Sequence, residues 1–547
     1  MRLAFALPVL STSALALAVA LRKLDGPYPS SENEAKLQRL LKRYREQLIA
    51  SPERLAELEA EFTAQVRDGL AKNVPVDGKH MMMLPTYVTR LPDGTETGEC
   101  YALDLGGTNF RVMYVRLGEG PGELAACEVE EVALPREVYT GPGEALFDFL
   151  ARTLSAFIAR HHTQQPQSQP SPAAHNPDGK PAAGSAAGLP VVGFCFSFAV
   201  EQTGLASGRL LDWTKGFTCP GVVGNDPVAL LSAALDRAGR PCRVAALLND
   251  TVGVLAAQRY LDAHTDVGVI VGTGTNACYV ERLAALTKWR PPAAAAPTAA
   301  AAGAAGGGEG GRGEGRTAVN MEWGAFFSTK LPRCMEDLSV DAASPNPGKY
   351  MFEKLLSGMF LGEAARRILL SLAREVPGLF PGPPLPDAEG ASAAAGGATA
   401  AAPPPSLPGR LATPGSLSSA ALAAIVEDRS WRLWATRRRL ARELGVHRPS
   451  RRAAEVAQEL TAMALLAVLR HNGWASASPP RPVTIAFDGA VYERFAAYRS
   501  MLTEAVSEQL GPERRAELAP LIRFALSHDG SALGAAVLAA AAVAEAQ

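Results

Sequence analysis

The chain has 547 residues, and its 54 Lys and Arg against 55 Asp and Glu leave a formal charge of −1. This balance excludes the strongly positive surface with which nucleic-acid-binding proteins neutralise phosphates. A hydrophobic share of 47% is that of a folded globular protein rather than of a disordered chain. The seven cysteines stand singly, without Cys-x-x-Cys spacing, which favours reduced intracellular thiols over a disulfide framework or a zinc site.

The first 24 residues are predicted to be an anchor or a targeting segment. Residues 3–21 are apolar, two basic residues follow, and no acidic residue comes before Asp25. The apolar stretch is nearly long enough to cross a bilayer, but Pro8 weakens a spanning helix. A membrane anchor, an organellar presequence and a secretory signal are therefore all open, and the cysteine pattern disfavours the last.

Between residues 31 and 72, apolar side chains recur at spacings of three and four, which predicts amphipathic helices. Three later stretches, 163–190, 291–316 and 377–415, are rich in Ala, Gly, Pro, Ser or Gln. Such segments bury too little apolar surface to offset the entropy of ordering them, so we expect mobile loops there. The rest of the chain is long enough for two sizeable lobes.

The segment 101–117, YALDLGGTNFRVMYVRL, predicts a β-hairpin with a glycine turn. Glycine lets backbone N–H groups approach a phosphate, and Asp104 before the turn with Arg111 after it is typical of a nucleotide-phosphate loop facing Mg²⁺. An ordinary tight turn is the alternative. The segment 267–281, VGVIVGTGTNACYVE, repeats the design, so the pair predicts two similar halves facing each other across a nucleotide.

Between the hairpins, residues 244–260 predict a buried strand that ends at Asn249-Asp250 and a helix that follows it. Asp250 is then either part of a helix cap or a general base for a substrate hydroxyl. Three further segments, 192–202, 211–217 and 319–326, interleave aromatic with polar residues. Apolar walls with a few fixed polar groups suit a polyhydroxylated ligand, because each buried hydroxyl needs a partner.

These motifs, in this order, resemble those of the eukaryotic hexokinases, with wording closest to plant-type members. They cover the chain from about residue 31 to its C-terminus and read LDLGGTNFR, GFCFSF, WTKGF, LLNDTVG, GTGTNACYVE, NMEWGAF, NPGKYMFEKLLSGMFLGE, FDGAVYE and SHDGSALGAAVLAA. The resemblance implies an α/β fold of the actin-like ATPase class, with two RNase H-like lobes around a central cleft. It also implies one catalytic unit, with a small-lobe region at 31–250 and a large-lobe region at 251–547.

By the same resemblance, the protein transfers phosphate from Mg-ATP to the 6-hydroxyl of a hexose, which is the first step of glycolysis. Asp250 becomes the general base, and Lys215 stabilises charge near the transferring phosphoryl group. The residues implied to contact the sugar are Ser197, Phe198, Thr214, Lys215, Asn249, Asp250, Asn276, Glu322 and Glu353. Those implied to hold the nucleotide are Asp104, Gly106, Gly107, Thr108, Asn109, Arg111, Thr273 and Gly274 at the phosphates, and Gly358, Gly489, Ala490 and Ser531 on the adenosine side. Mg²⁺ is held mainly by ATP, with Asp104 acting through water.

Two positions depart from the family pattern. Ala199 stands where proline is usual, which loosens the loop around Ser197. Tyr350 stands where glutamine is usual, which alters one expected sugar contact. The C-terminal segment from Gly530 predicts a helix whose small residues permit close packing.

We expect a monomer that binds a hexose and ATP and has no nucleic-acid partner. Residues 3–21 would anchor it to the cytoplasmic face of an organelle membrane, such as the mitochondrial outer membrane, or direct it to a plastid. One alternative is a glucose-binding sensor with weak catalysis on the same fold. Another is a cytoskeletal or chaperone-like ATPase, which would share the phosphate hairpins but would not need the sugar motifs.

Overall fold

The chain is described by a computed structural model at residues 31–48, 50–107, 109–118, 120–164, 188–290, 315–376, 409–426 and 481–546. The predicted anchor at 1–24, Thr108 and most of the three biased stretches lie outside these residues. Within the described part, no helix combines the length and the apolarity needed to cross a membrane. All seven cysteines are free thiols.

The predicted helices at 31–72 form, as α1 and α2. The helices are α1 Ser31–Leu48, α2 Pro52–Ala71, α3 Arg136–Thr140, α4 Gly143–Gln164, α5 Pro227–Arg237, α6 Asp250–Leu261, α7 Met335–Ala342, α8 Met351–Leu356, α9 Gly358–Glu375, α10 Gly409–Ala412, α11 Ser419–Val426, α12 Ala490–Arg494, α13 Ala496–Gln509, α14 Pro512–Leu518 and α15 Gly530–Ala546. Short 3₁₀ turns lie at Leu283–Ala285, Trp323–Ala325 and Ala519–Leu521. The strands are β1 Leu84–Pro85, β2 Gly98–Leu105, β3 Asn109–Leu117, β4 Leu124–Ala133, β5 Val191–Phe196, β6 Val200–Gly204, β7 Ser207–Leu210, β8 Arg243–Leu248, β9 Thr265–Val271, β10 Thr275–Arg282, β11 Arg316–Asn320, β12 Val483–Asp488 and β13 Ile522–Leu526.

Two sheets carry the fold, and they share one topology. The first has five strands in the order β4-β3-β2-β5-β8, and the second has β11-β10-β9-β12-β13 with β1 added at its edge. In each sheet three strands form an antiparallel meander, and the last two run parallel to the first strand of that meander. The predicted pair of similar halves is therefore confirmed.

Both predicted hairpins also form. Leu105 of β2 pairs with Phe110 of β3, and Val271 of β9 pairs with Thr275 of β10. The glycine turns thus stand at corresponding corners of the two sheets, since in each case the turn follows the first strand of the meander.

Two helices rich in small residues lie between the sheets and cross each other. Helix α6 packs against β9 and β10, while α15 packs against β2 and β5. A Cβ on Gly253 would collide with the backbone of Ser531, and one on Gly534 would collide with the carbonyl of Gly253. The helices therefore meet backbone to backbone, and the close packing predicted for the C-terminal helix is confirmed.

The packed cores do not follow the predicted division at residue 250. Helices α1 and α2 bury their apolar stripes on the second sheet, where Phe62 packs in one cluster with Val269 and Phe326. Strand β1 belongs to the same sheet. Helix α15, from the C-terminal region, covers the first sheet instead. Residues from both sides of residue 250 thus pack together on each sheet, because an amphipathic stripe packs where an apolar face is available and not where it lies in sequence.

The loop expected at 377–415 is wrong at its end, because residues 409–412 are helical. Leu411 is fully buried, and its carbonyl accepts a hydrogen bond from Arg366 Nη1 at 2.6 Å. The backbone N–H of Gly415 donates to Glu363 at 2.9 Å. One large apolar side chain and a buried ion pair on α9 are enough to order this part of a segment whose composition indicates a loop.

Candidate active site

Asp250 is the first residue of α6, at the point where β8 ends in the cleft between the sheets. The helix cap is the residue before it, because Asn249 Oδ1 accepts hydrogen bonds from the backbone N–H (3.1 Å) and the hydroxyl (2.9 Å) of Thr251. The side chain of Asp250 is 16% exposed. A helix N-terminus stabilises a carboxylate. Asp250 Oδ1 also accepts from the N–H of Thr251, at 2.9 Å, whereas Oδ2 lies on the side of Lys215.

Lys215 supplies the positive charge beside Asp250. Its Nζ lies 3.8 Å from Asp250 Oδ2 and donates to the carbonyl of Ser197 at 2.9 Å. The ammonium also stands 5.5 Å from the centroid of the Phe198 ring, which Trp213 contacts edge-on. Lys215 has a left-handed backbone, with a φ of 56°. It lies in a turn closed by a hydrogen bond from the N–H of Phe217 to the carbonyl of Thr214. The aromatic segment predicted from sequence is therefore the support that fixes the lysine.

Four side chains, Asn249, Asn276, Asn320 and Glu322, form a hydrogen-bonded group that we call the amide cluster. Asn276 Nδ2 donates to Asn320 Oδ1 at 2.8 Å and approaches Asn249 Oδ1 at 3.3 Å. Asn320 Nδ2 donates to Glu322 Oε1 at 2.8 Å. The oxygen of Asn276 accepts from its neighbouring backbone N–H at 2.8 Å. Because these residues come from the end of β8, from β10 and from β11, the cluster joins the two sheets.

Two glutamates complete this side of the cleft. Burial raises the pKa of Glu322 to about 7. The hydrogen bond from Asn320 lowers this pKa, and the negative charge of Asp250 raises it further. Burial also raises the pKa of Glu353, whose Oε2 accepts a hydrogen bond from the N–H of Thr275 at 3.2 Å. Carboxylates and amides at this density offer both acceptors and donors to a ligand with several hydroxyl groups.

At the other end of the cleft, Asp104, Arg111, Asp529 and Ser531 form what we call the Asp104 cluster. Ser531 Oγ donates to Asp104 Oδ2 at 2.6 Å. Arg111 Nη1 lies 3.6 Å from that oxygen and 3.5 Å from Asp529 Oδ1. Ser531 was predicted to lie with Gly358 on the adenosine side, but its hydroxyl bonds to Asp104.

One oxygen of the Asp104 cluster lacks a partner. Asp104 Oδ1 is buried and accepts no hydrogen bond from the described residues, and the nearby Cys195 thiol is only a weak donor. Burial raises the pKa of Asp104. Within the described part of the chain, no three His, Cys, Asp or Glu side chains converge so as to hold a metal ion. The site therefore offers one carboxylate oxygen to an incoming cation or water rather than a complete metal cage.

The two glycine turns differ in their surroundings. A Cβ on Gly107 would meet nothing within 4 Å, and one on Gly106 would come only to 3.4 Å from Ser197 Oγ. In the second turn, a Cβ on Gly274 would lie 2.7 Å from Glu353 Oε2. Thr108 and the side chain of Asn109, both predicted to contact phosphate, lie outside the described residues. The first turn is open towards the cleft, while the second is packed.

The predicted adenosine-side residues gather around the second turn. The N–H of Gly358, at the start of α9, donates to the carbonyl of Gly272 at 2.7 Å, and the next N–H along α9 donates to the carbonyl of Thr273 at 3.2 Å. Gly489 has a positive φ of 106°, and a Cβ there would lie 2.6 Å from the carbonyl of Val271. Ala490 then begins α12. The starts of two helices therefore meet at the glycine turn, and the carbonyls of the turn already accept the first N–H groups of α9.

Two cleft residues, Asp488 and Asp529, were not among the predicted site residues. Asp488 ends β12, and its Oδ1 accepts from the N–H of Gly489 at 2.5 Å. Burial raises its pKa to about 6, that hydrogen bond opposes the rise, and Arg111 and Asp104 act on it electrostatically. An Asp-Gly pair at or soon after the end of an apolar strand occurs at both positions, and this pattern could have indicated them.

Comparisons with known proteins agree with this geometry. Two family models, both described as hexokinase, match residues 40–260 and 266–541. The rice (Oryza sativa subsp. japonica) protein "Hexokinase-4, chloroplastic" is 38% identical over 489 residues, which are 86% of this chain and 83% of that protein. Hexokinase-1 of Nicotiana tabacum is 34% identical and covers 96% of both chains.

The same likeness holds in three dimensions. The solved structure of a hexokinase from Schistosoma mansoni complexed with glucose is 29% identical, with a TM-score of 0.68 over 92% of this chain and 99% of that chain. Two α/β lobes of like topology around a cleft form the actin-like ATPase fold, as the resemblance implied. The chain therefore belongs to the hexokinase family, as a plant-type enzyme with one catalytic unit that transfers phosphate from ATP to a hexose.

Proposed function

We propose that the protein phosphorylates glucose at the 6-hydroxyl, with Asp250 as the general base. The observation that carries this proposal is the geometry at the start of α6, where Asn249 caps the helix, Asp250 Oδ1 bonds to the Thr251 N–H, and Asp250 Oδ2 lies 3.8 Å from Lys215 Nζ. A carboxylate so placed takes the proton from the hydroxyl as its oxygen attacks the γ-phosphate. Lys215, at 3.8 Å, adds a positive charge near the transferring phosphoryl group.

The amide cluster, with Glu353, is the proposed binding site for the sugar hydroxyls. Its donors and acceptors are already oriented by hydrogen bonds to each other, which suits a ligand that must be held in one pose for in-line attack. Ser197 and Thr214 complete it from the lysine side. Mannose and fructose are proposed as further substrates.

The Asp104 cluster and the two glycine turns are the proposed site for the phosphates of ATP. Asp104 Oδ1 is buried without a hydrogen-bond donor among the described residues, and the open turn at Gly107 lets backbone N–H groups approach phosphate oxygens. These residues fit Mg²⁺, because an unpartnered carboxylate oxygen suits a hard cation or its water. When bound, Mg²⁺ neutralises phosphate charge. The adenosine portion is assigned to Gly358, Gly489 and Ala490.

Closure of the cleft on the sugar completes the proposal. Water in an open cleft would compete with the sugar as acceptor, so closure that waits for hexose suppresses ATP hydrolysis. The amide cluster joins residues of both sheets, and the Asp104 cluster joins β2 to the start of α15.

The experiment measures ADP release by the full chain with Mg-ATP, with and without glucose. We expect glucose-dependent release, which the variant Asp250→Ala lowers by about 10²- to 10⁴-fold with little change in glucose binding. Asp236→Ala, at an exposed position on α5, serves as the control. A near-normal rate for Asp250→Ala would remove its assigned role.

Within the described residues, no feature of the site favours a sensor with weak catalysis, since Asp250, Lys215 and the glycines of both turns are in place. The same assay separates the two functions, because a sensor would bind glucose without releasing ADP. For location, we propose that residues 1–24 direct the monomeric protein to a plastid or anchor it on an organelle membrane. Fluorescence of the tagged full chain, compared with the chain lacking residues 1–24, tests this, and an unchanged distribution would contradict it.

A further inference from the structure

A buried ion pair next to the proposed sugar pocket takes no part in the proposed chemistry. Lys354 is 4% exposed, and its Nζ donates to Asp341 Oδ1 at 2.6 Å and to the carbonyl of Asn346 at 2.8 Å. Burying a lysine with an aspartate costs desolvation free energy, which their mutual attraction offsets only in part. Such a pair adds little to stability, so a positioning role is the better explanation of its presence.

The ion pair closes the segment between α7 and α8. Asp341 lies near the end of α7, and Lys354 lies in α8. Both carboxylate oxygens of Asp341 also accept the N–H of Gly348, at 3.0 Å each. Asn346 and Gly348 belong to the joining segment, whose residues 343–350 form turns rather than a helix or strand. The pair therefore holds this segment at two points and ties α8 to the end of α7.

Lys354 directly follows Glu353, the glutamate of the proposed sugar site. Helix α8 has only six residues, too few to be stable alone, so its orientation depends on the contacts around it. Successive residues of an α-helix point in directions about 100° apart. Glu353 Oε2 accepts the N–H of Thr275 at 3.2 Å, while Lys354 reaches Asp341 on another side of the helix. The ion pair therefore sets the rotation of α8 about its axis, and with it the place of the Glu353 carboxylate.

Lys354 also acts on Glu353 through its charge. Burial raises the pKa of Glu353, and a hydrogen bond from a backbone N–H opposes the rise. Among the charged groups around this carboxyl, Lys215 and Lys354 lower its pKa, whereas Asp250 raises it. Glu353 in turn helps to raise the pKa of Glu322. Lys354 thus favours the ionised form of Glu353, which accepts hydrogen bonds from hydroxyl groups.

We propose that the ion pair of Asp341 and Lys354 positions Glu353 for the bound hexose. Both residues act through the orientation of α8 and do not themselves contact the sugar. They are positioning residues for sugar affinity and have no part in proton transfer at Asp250. This inference rests on the proposed function, because Glu353 belongs to the proposed sugar site.

The variant Lys354→Met removes the charge and keeps a side chain of similar length. We expect the KM for glucose to rise about 10-fold, as for loss of a hydrogen bond to a charged group, with kcat within about 3-fold of the parent and the KM for ATP unchanged. Glu353 also loses a charge that lowers its pKa, so it is protonated at a higher pH. The ratio of the variant KM to the parent KM should therefore be larger at pH 6 than at pH 8. Taking this ratio removes the pH dependence that Glu322 gives to both proteins.

Arg366→Met is the matched control. Arg366 is also a buried cation, 3% exposed, and it pairs with Glu363 on α9. Both variants should lower the melting temperature, because each removes one partner of a buried ion pair. Only Lys354→Met should raise the KM for glucose. Equal rises in the two variants would show a general loosening of the protein and would overturn the inference.

Asp341→Asn separates position from charge. The amide oxygen still accepts the N–H of Gly348, but the pair with the ammonium is lost, while Lys354 keeps its charge near Glu353. We expect the KM for glucose to rise about 3- to 10-fold, with the same ratio to the parent at pH 6 and pH 8. If Lys354→Met fails to fold, as judged by its melting curve, Asp341→Asn decides alone. A KM for glucose within about 2-fold of the parent in Asp341→Asn overturns the inference.

The parent enzyme, assayed alongside, separates this inference from the proposed function. If the parent phosphorylates no hexose, the proposed function fails. Glucose titrated calorimetrically into the parent and into both variants of the ion pair then still measures the effect on binding. Equal dissociation constants in all three proteins, or no binding of glucose to the parent, would overturn the positioning role.

Discussion

The amide cluster and the Asp104 cluster lie in one cleft but are built differently. In the amide cluster the side chains of Asn249, Asn276, Asn320 and Glu322 hydrogen-bond to one another without any ligand. In the Asp104 cluster one buried carboxylate oxygen has no partner within the described chain. A satisfied network keeps its shape alone, whereas an unsatisfied group is completed by what binds. The proposed sugar site is thus preorganised, and the proposed phosphate site is finished by its ligand.

The largest effect that tests this contrast is expected from Asn276→Ala. The change leaves Asn249, Asn320 and Glu322 without their shared donor, so the loss spreads through the network. We expect the KM for glucose to rise about 10- to 100-fold, from the usual cost of unpaired buried groups. Steady-state kinetics measure it, with Asn225→Ala, an exposed amide that bonds only to a nearby carbonyl, as control. A change below about 2-fold would mean that the cluster is not one unit.

The two glycine turns allow a paired test. A methyl group on Gly274 would press on Glu353 Oε2, at 2.7 Å, while one on Gly107 meets nothing within 4 Å. Gly274→Ala should therefore raise the KM for glucose about 10-fold by displacing that carboxylate. Gly107→Ala should raise only the KM for ATP, because its methyl occupies space that the phosphates need. The contrast breaks down if both variants weaken the same substrate.

Glu322 makes the preorganised side sensitive to pH. Its pKa is raised to about 7, mainly by burial, so the carboxylate form that accepts hydroxyl hydrogens is lost as the pH falls through 7. The KM for glucose should be about 10-fold higher at pH 6 than at pH 8. Kinetics across this range check it, and Glu322→Gln should have a weak but pH-independent KM.

The same raised pKa sets the sign of the effect on stability. The folded state favours protonated Glu322 more than the unfolded chain does, so this stabilisation is complete below the unfolded value of 4.5 and is lost as the pH rises through about 7. Without hexose, the melting temperature of the parent should therefore fall more between pH 5 and pH 8 than that of Glu322→Gln. Equal decreases would assign the pH dependence to other groups.

The smallest effect is expected from Ser531→Ala. The change removes the 2.6 Å hydrogen bond to Asp104 Oδ2, but Arg111 stays near that oxygen and bound ligand still completes Oδ1. We expect the KM for ATP to rise about 2- to 5-fold, with the KM for glucose unchanged. An effect as large as that of Asn276→Ala would show that both clusters are preorganised networks.

Local signals in the sequence were enough to predict both hairpins, helices α1, α2 and α15, and the strand that ends at Asn249-Asp250. Each depends on alternation, on helical spacing or on a turn residue within a few positions. They also indicated which polar residues face the cleft, because aromatic and polar residues alternate in those segments.

Contacts over long sequence distances could not be predicted in this way. Ser531 and Asp104 are 427 positions apart, and no local pattern indicates that a hydroxyl on α15 bonds to a carboxylate on β2. The packing of α1 and α2 on the second sheet could not be predicted either, because their apolar stripes would fit any apolar face. Asp488 was missed because an Asp-Gly pair is an ordinary turn signal, and only the fold shows that it faces Arg111.

The crossing of α6 and α15 at Gly253 and Gly534 has a consequence for enzyme engineering. Helix α6 begins with Asp250, and the first turn of α15 carries Ser531, which bonds Asp104, so the span between the attacking hydroxyl and the phosphates depends on how closely these two helices meet. Directed evolution of the residues lining the cleft can retune affinity for either substrate but leaves that span unchanged. Libraries that vary the cleft should therefore keep both glycines, because a methyl group at either one would lie within 2.4 Å of a backbone atom of the other helix and would disrupt their packing.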